Sequence, residues 1–190
     1  MAQDIYQSFL LATQQKHLMI LLGGTSGSGK STVATLLSAR LGIPTVLSTD
    51  SLRHLLRNFR SKEEEPALFT STYECAKLTP PSACEGGPSD ERKRLIKGYK
   101  RQCEAVQDYV LKVLAAYSAR QESVIVEGVH LTGILMKVAM KQFPRSCLPF
   151  LLNIAKSEKH LNRFAVRSKL MTTDPTNNKY AKHFAEIRHI

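Results

Sequence analysis

The chain has no tryptophan, only four cysteines, and fewer acids than bases. Cys75, Cys84, Cys103 and Cys147 contain no C-x-x-C pair and no regular spacing. That argues against a disulfide framework or a zinc site and leaves free thiols. No apolar run approaches the roughly 20 residues of a membrane span. The opening MAQDIYQSFL holds Asp4 and lacks the basic start and long apolar stretch of a secretory signal. A cytoplasmic protein without a membrane partner is the expectation. Internal repeats and low-complexity tracts are absent too. A single domain over residues 1–190 is expected, and 43% hydrophobic residues suffice for its core. Against 16 Asp and Glu stand 27 Lys and Arg, a formal net charge of +11, which suits an anionic partner.

Four of the ten glycines fall within seven residues. Residues 19–32 read MILLGGTSGSGKST: an apolar run stops at Gly23, four glycines follow among hydroxyl residues, and then comes Lys30. Gly24 to Ser31 fits G-x-x-x-x-G-K-[ST], the phosphate-binding loop. Glycines let successive backbone N–H groups turn inward around an anion, and the following helix adds its positive end. ATP is the implied ligand, held by Gly24, Thr25, Ser26, Gly27, Ser28, Gly29, Lys30, Ser31 and Thr32. Lys30 reaches the β- and γ-phosphates and the Ser31 hydroxyl ligates Mg2+. A Gly/Ser-rich turn that binds nothing has no use for Lys30 followed by Ser31 and Thr32.

Around the loop, strands alternate with helices. Strands are expected at 17–22, 44–48, 123–126 and 148–154. Helices are expected at 4–15, 30–41, 50–60, 89–120, 131–143, 158–171 and 179–189, with loops around a short helix near 70–78. Ser89 is read as the cap of the long helix, ahead of Asp90 and Glu91 at its positive end. This pattern implies a three-layer α/β/α fold with a parallel sheet. Arg92, Lys93, Arg94, Lys97, Lys100 and Arg101 crowd the long helix. They read as a solvated face, because no aromatic residues are interleaved to stack on nucleic-acid bases.

Ligands of parallel sheets bind beyond the carboxyl ends of the strands. The second strand ends in STDSLR. There Asp50 either faces an acceptor hydroxyl, orienting or deprotonating it, or caps its helix. Arg53, one turn on, can hold a phosphate or carboxylate. The third strand ends in VEGVH. Glu127 lies beside the phosphate loop if this strand neighbours the first, and there it can hold magnesium through water or hydrogen-bond the loop. His130 either touches substrate or packs. Arg163 and Arg167 are four apart and share a helix face, suited to charge on a transferring phosphoryl group or simply to solvent.

Taken together, GGTSGSGKST, PTVLSTDSLRHLLR, TSTYECAKL, GYKRQCEAV, VIVEGVHL, RFAVRSK and NKYAKHFAEIRHI make the chain similar to the P-loop kinase family of 2-phosphoglycerate kinase and its plant relatives linked to phytic acid metabolism. STDSLR followed by VIVEGVH and RFAVRSK carries more weight than the widespread phosphate loop. The resemblance implies ATP- and Mg2+-dependent phosphoryl transfer to the hydroxyl of 2-phosphoglycerate, giving 2,3-bisphosphoglycerate. Such an acceptor, both phosphate and carboxylate, gives Arg53, Arg57 and the basic residues of 99–102 a purpose; an inositol phosphate is the other acceptor the family suggests. Lys30, Asp50, Arg163 and Arg167 are then catalytic, Arg53, Arg57 and His130 bind substrate, and Ser31 and Glu127 serve the metal. Asp50 and Glu127 can exchange roles. Relatives continue past residue 190 into a further core strand, so a sheet lacking that last strand is expected, with weaker nucleotide binding.

Two other functions fit the same residues. Asp-x-x-Arg after the second strand also occurs in polynucleotide and seryl-tRNA kinases. A non-catalytic ATP-binding regulatory protein would keep the loop and transfer nothing.

Overall fold

The computed structural model of the chain describes residues 17–80 and 88–155, without the side chains of 88–90. The helices expected at 4–15, 158–171 and 179–189 lie outside the described residues, as do Cys84 and the terminal stretch that bears on a last strand.

Four strands form one parallel sheet in the order β2-β3-β1-β4: β1 (Met19–Gly24), β2 (Val46–Ser48), β3 (Val124–Glu127) and β4 (Cys147–Leu152). β1 is central and almost wholly buried, as its unbroken apolar run requires when both sheet faces are covered. Its side chains alternate between two cores. Met19 and Leu21, with Val124 and Val126 of β3, pack under α4 (Pro88–Arg120) and α5 (Gly133–Gln142) through Val106, Val110, Leu114, Leu135 and Ala139. Ile20 and Leu22, with Ile125, pack under α1 (Lys30–Leu41) through Ala34, Val33 and Leu37. The result is the three-layer arrangement expected.

Several boundaries differ from the sequence reading. Between β2 and α4 lie α2 (Thr49–Leu56), α3 (Pro66–Phe69) and a 3₁₀ helix (Thr72–Leu78). The helix expected to reach residue 60 ends at Leu56, where Asn58 and Phe59 bond back only three residues, to Leu55 and Leu56. The long helix already includes Ser89, the residue expected to cap it. The segment 61–80 leaves the strand–helix alternation and lies against α4. Gly98 permits this: a Cβ there would stand 1.8 Å from the Cys75 carbonyl oxygen. Arg94 braces the end of the 3₁₀ helix, its Nε donating to Thr79 O at 2.9 Å and its NH2 to Ala76 O at 3.2 Å. Of the basic cluster, Arg94 is therefore half-buried, while Lys93, Lys97, Lys100 and Arg101 are exposed.

Register sets the site. Leu22 of β1 and Ser48 of β2 both stand opposite Glu127 of β3. The ends of β2 and β3 are thus level, and β1 runs two residues further before the loop that follows it.

Candidate active site

Beyond β1 the chain turns through Gly24, Gly27 and Gly29, all with positive φ, into α1. Gly24 pairs with Leu152 across the β1–β4 seam, and a Cβ on it would lie 2.3 Å from Leu152 O and 3.2 Å from Ser28 Oγ. The Lys30 side chain is folded back onto its own loop, Nζ donating to Thr25 O at 2.8 Å. Thr25 Oγ1 and Ser28 Oγ are buried without a hydrogen-bond partner among the described residues. Buried hydroxyls need partners. A polyphosphate in the loop would supply acceptors for both, so the residues fit the nucleotide.

The neighbouring strand carries the acid. β3 pairs with β1, so the condition set for Glu127 is met: Ser31 Oγ donates to Glu127 Oε1 at 3.0 Å. Glu127 is 8% exposed. A hydroxyl and a carboxylate side by side are hard oxygen donors suited to magnesium, which keeps several waters and takes few protein ligands.

At the end of β2, Ser48 is the N-cap of α2; its hydroxyl accepts from Asp50 N at 3.2 Å. The capping that was the alternative reading of Asp50 is thus done by Ser48. The Asp50 carboxylate, 51% exposed, pairs with Arg53 NH2 at 3.3 Å. The Arg53 side chain is only 8% exposed. Its NH1 donates to the Thr70 carbonyl, and its Nε is buried with no partner among the described residues. Arg57 donates from Nε to Leu68 O at 2.8 Å, meets His54 Nδ1 at 3.1 Å and lies 5.6 Å from the centre of the Phe69 ring. Burial, Arg57 and Arg53, against the weaker pull of Asp50, lower the pKa of His54. Burial and Arg53 lower that of Arg57, again opposed by Asp50. Burial is the larger cause in both, and the neighbouring guanidinium charge adds to it.

The substrate-contact reading of His130 is corrected. Its residue is 0% exposed and both ring nitrogens are engaged, Nδ1 with Thr49 Oγ1 at 2.8 Å and Nε2 with Gln102 Oε1 at 3.2 Å. Gly128 makes room for this contact, since a Cβ there would lie 1.8 Å from Thr49 Oγ1. Burial drives the His130 pKa down to about 4, with Asp50 opposing and Arg53 and Lys30 adding to the effect.

Two site residues escaped the sequence reading. Tyr73, on the 3₁₀ helix, hydrogen-bonds Ser26 in the phosphate loop. Gln102, fully buried on α4, holds the 61–80 segment. The signal for Gln102 was a polar residue within the apolar stripe of Tyr99, Cys103, Val106 and Val110. Nothing in the sequence brings Tyr73 to the loop. Arg163 and Arg167 lie outside the described residues. Cys75, Cys103 and Cys147 are free and buried, and burial raises the first two thiols to about 12 and the third to about 11, so they are inert. No described helix is long and apolar enough to cross a membrane.

A phosphate loop and a flanking acid on a parallel sheet define the P-loop kinase class. The chain belongs to the AAA domain family, whose profile matches residues 19–169. The 2-phosphoglycerate kinase of Methanocaldococcus jannaschii is 36% identical over 186 residues, covering 97% of this chain and 56% of its own length. That of Methanococcus maripaludis (strain C5) is 33% identical, covering 93% and 55%. An uncharacterised Dictyostelium discoideum protein is 45% identical over 178 residues, which are 93% of this chain and 20% of that one. The chain thus spans about half the length of the archaeal relatives, and the kinship with 2-phosphoglycerate kinases read from its motifs runs through nearly all of it. Among solved structures, a gluconokinase from Sinorhizobium meliloti 1021 covers 91% of this chain and 76% of its own at 13% identity, with a TM-score of 0.45.

Proposed function

We propose that this chain is an ATP- and Mg2+-dependent kinase that phosphorylates a hydroxyl of a small, anionic metabolite, with 2-phosphoglycerate the acceptor and 2,3-bisphosphoglycerate the product. The observation that carries the reading is what gathers at the carboxyl end of three neighbouring strands: the phosphate loop, Glu127 against Ser31, and Asp50 with Arg53. The archaeal relatives' names supply the acceptor.

Gly24 to Thr32 hold the ATP phosphates, with Lys30 leaving Thr25 O to meet them. Ser31 and, through water, Glu127 would hold magnesium, which would supply positive charge against the transferring phosphoryl group. Asp50 releases Arg53 and takes up the acceptor hydroxyl, orienting it and accepting its proton. Arg53 and Arg57 bind the acceptor's phosphate and carboxylate, and the unpartnered Arg53 Nε is the donor in waiting. Arg163 and Arg167 stabilise the transferring group. The buried reduced thiols suit the cytoplasm. The exposed basic residues near the start of α4, Lys93, Lys97, Lys100 and Arg101, have no exposed aromatic among them, which weighs against a nucleic-acid partner.

The test is transfer from labelled ATP to 2-phosphoglycerate by wild type and by Lys30→Ala. Transfer by wild type alone is the expected result. A wild type that binds ATP yet phosphorylates neither 2-phosphoglycerate nor inositol phosphates would favour a non-catalytic nucleotide-binding role.

A further inference from the structure

We infer that Gln102 is a positioning residue for the acceptor: it holds the Thr70 carbonyl that in turn fixes the Arg53 guanidinium. The inference rests on the proposed function, because it concerns how Arg53 is presented to an acceptor.

Gln102 is 0% exposed in the middle of α4. Its Nε2 donates to Ala67 O at 3.0 Å and to Thr70 O at 2.6 Å. Its Oε1 meets Thr72 Oγ1 at 2.8 Å and His130 Nε2 at 3.2 Å. Two donors and two acceptor sites are therefore all used. Backbone carbonyls only accept, so the orientation of the amide is fixed, and with it every proton along the chain. His130 carries its proton on Nε2 and donates to Gln102. Thr49 donates to His130 Nδ1 at 2.8 Å.

The Thr70 carbonyl has a second donor, Arg53 NH1. Arg53 stands on the helix that Thr49 begins. The hydrogen bonds thus form a closed ring: Thr49, His130, Gln102, the Thr70 carbonyl, Arg53, and back along α2 to Thr49. The ring ties the end of β2, the loop after β3, α4 and segment 66–72 into one unit. A buried guanidinium bonded to a fixed carbonyl has a fixed plane, and that plane decides where its Nε points. An amide donor at position 102 is the brace for that carbonyl. A residue that merely filled space would not need all four hydrogen bonds, nor would it share its acceptor with Arg53.

The experiment compares wild type, Gln102→Met, Arg53→Lys and the double variant in steady-state kinetics with 2-phosphoglycerate and ATP, alongside the Arg53 Nε–H resonance in NMR. Methionine keeps the length of the side chain and removes the amide. The expected result is an acceptor KM raised about tenfold, an ATP KM within twofold of wild type, and a double variant no worse than Arg53→Lys alone, since both act through one group. Gln102→Met must also shift the Arg53 Nε–H signal. Acceptor and ATP KM rising together, or effects that multiply in the double variant, overturn the inference. Should Gln102→Met not fold, titration of the wild type decides: acceptor must move the Arg53 Nε–H and the Gln102 side-chain amide signals together. An amide that stays still while Arg53 moves overturns it. A wild type that transfers nothing to 2-phosphoglycerate removes the proposed acceptor instead. The positioning role is then judged on whether Gln102→Met moves the Arg53 signal, and an unmoved signal overturns it.

Discussion

Ser31 Oγ and Glu127 Oε1 are 3.0 Å apart, so the first turn of α1 and the last residue of β3 already share a hydrogen bond. In the kinase reading this pair receives magnesium. Glu127→Gln keeps the shape and removes the charge. The magnesium concentration for half-maximal rate should rise roughly 10–100-fold, the usual cost of losing a group that orients a metal's water shell. Initial rates against magnesium concentration check this. A curve superimposable on wild type would remove Glu127 from the metal site.

Asp50 is half exposed and its carboxylate pairs with Arg53, while Ser48 does the capping. Asp50→Asn should therefore leave the helix intact and lower kcat by roughly 10²–10⁴-fold, the range for losing a general base. The ATP KM should stay near its wild-type value. Equal losses in turnover and ATP affinity would contradict the assignment.

His130 makes stability depend on pH. Its pKa falls from 6.5 to about 4 on folding, because burial disfavours the charged ring. The unfolded chain therefore binds this proton first as pH drops. The contribution is fully present above about pH 6.5 and is lost as pH falls towards 4; it amounts to about 3 kcal/mol by linkage. Urea unfolding at pH 7.0 and 4.5 should show a larger difference for wild type than for His130→Asn. Equal differences would mean that His130 is not held neutral.

Gly98→Ala tests the packing of segment 61–80 on α4. The added methyl meets the Cys75 carbonyl at 1.8 Å, and a backbone group cannot swing aside as a side chain can. Destabilisation of about 1–3 kcal/mol is expected from such overpacking. Limited proteolysis should cut faster within 61–80, and an unchanged cleavage pattern would show that the contact gives way easily.

Gln121 follows the last residue of α4 with φ 57, a left-handed conformation that costs a non-glycine residue energy. Gln121→Gly should stabilise the protein by about 1 kcal/mol, less the exposed hydrogen bond from Gln121 Nε2 to Ser118 O. A thermal melt should rise by about 2–4 °C. A fall would show that this hydrogen bond outweighs the backbone strain.

The sequence by itself determined what depends on neighbours along the chain. The phosphate loop is eight consecutive residues whose chemistry lies in their order. Apolar strands alternating with amphipathic helices dictate a parallel sheet covered on both faces. The carboxyl-end rule then marks Glu127, directly after the apolar run VIV, and Asp50, three residues past Leu47. Tertiary structure alone decided which strands are neighbours, and only the order β2-β3-β1-β4 brings Glu127 to Ser31 across 96 residues. It also turned His130 inward. A histidine three residues past a strand end has no local signal for burial; its partners Thr49 and Gln102 lie 81 and 28 residues away. The 61–80 segment was least legible for the same reason. Its short helices have little periodicity of their own, and their positions come from Gly98, Arg94 and Gln102 on α4. Hydrogen bonds between residues distant in sequence leave no period to read, so the contacts of Gln102 and Arg53 with the Thr70 carbonyl appear only once the chain has folded.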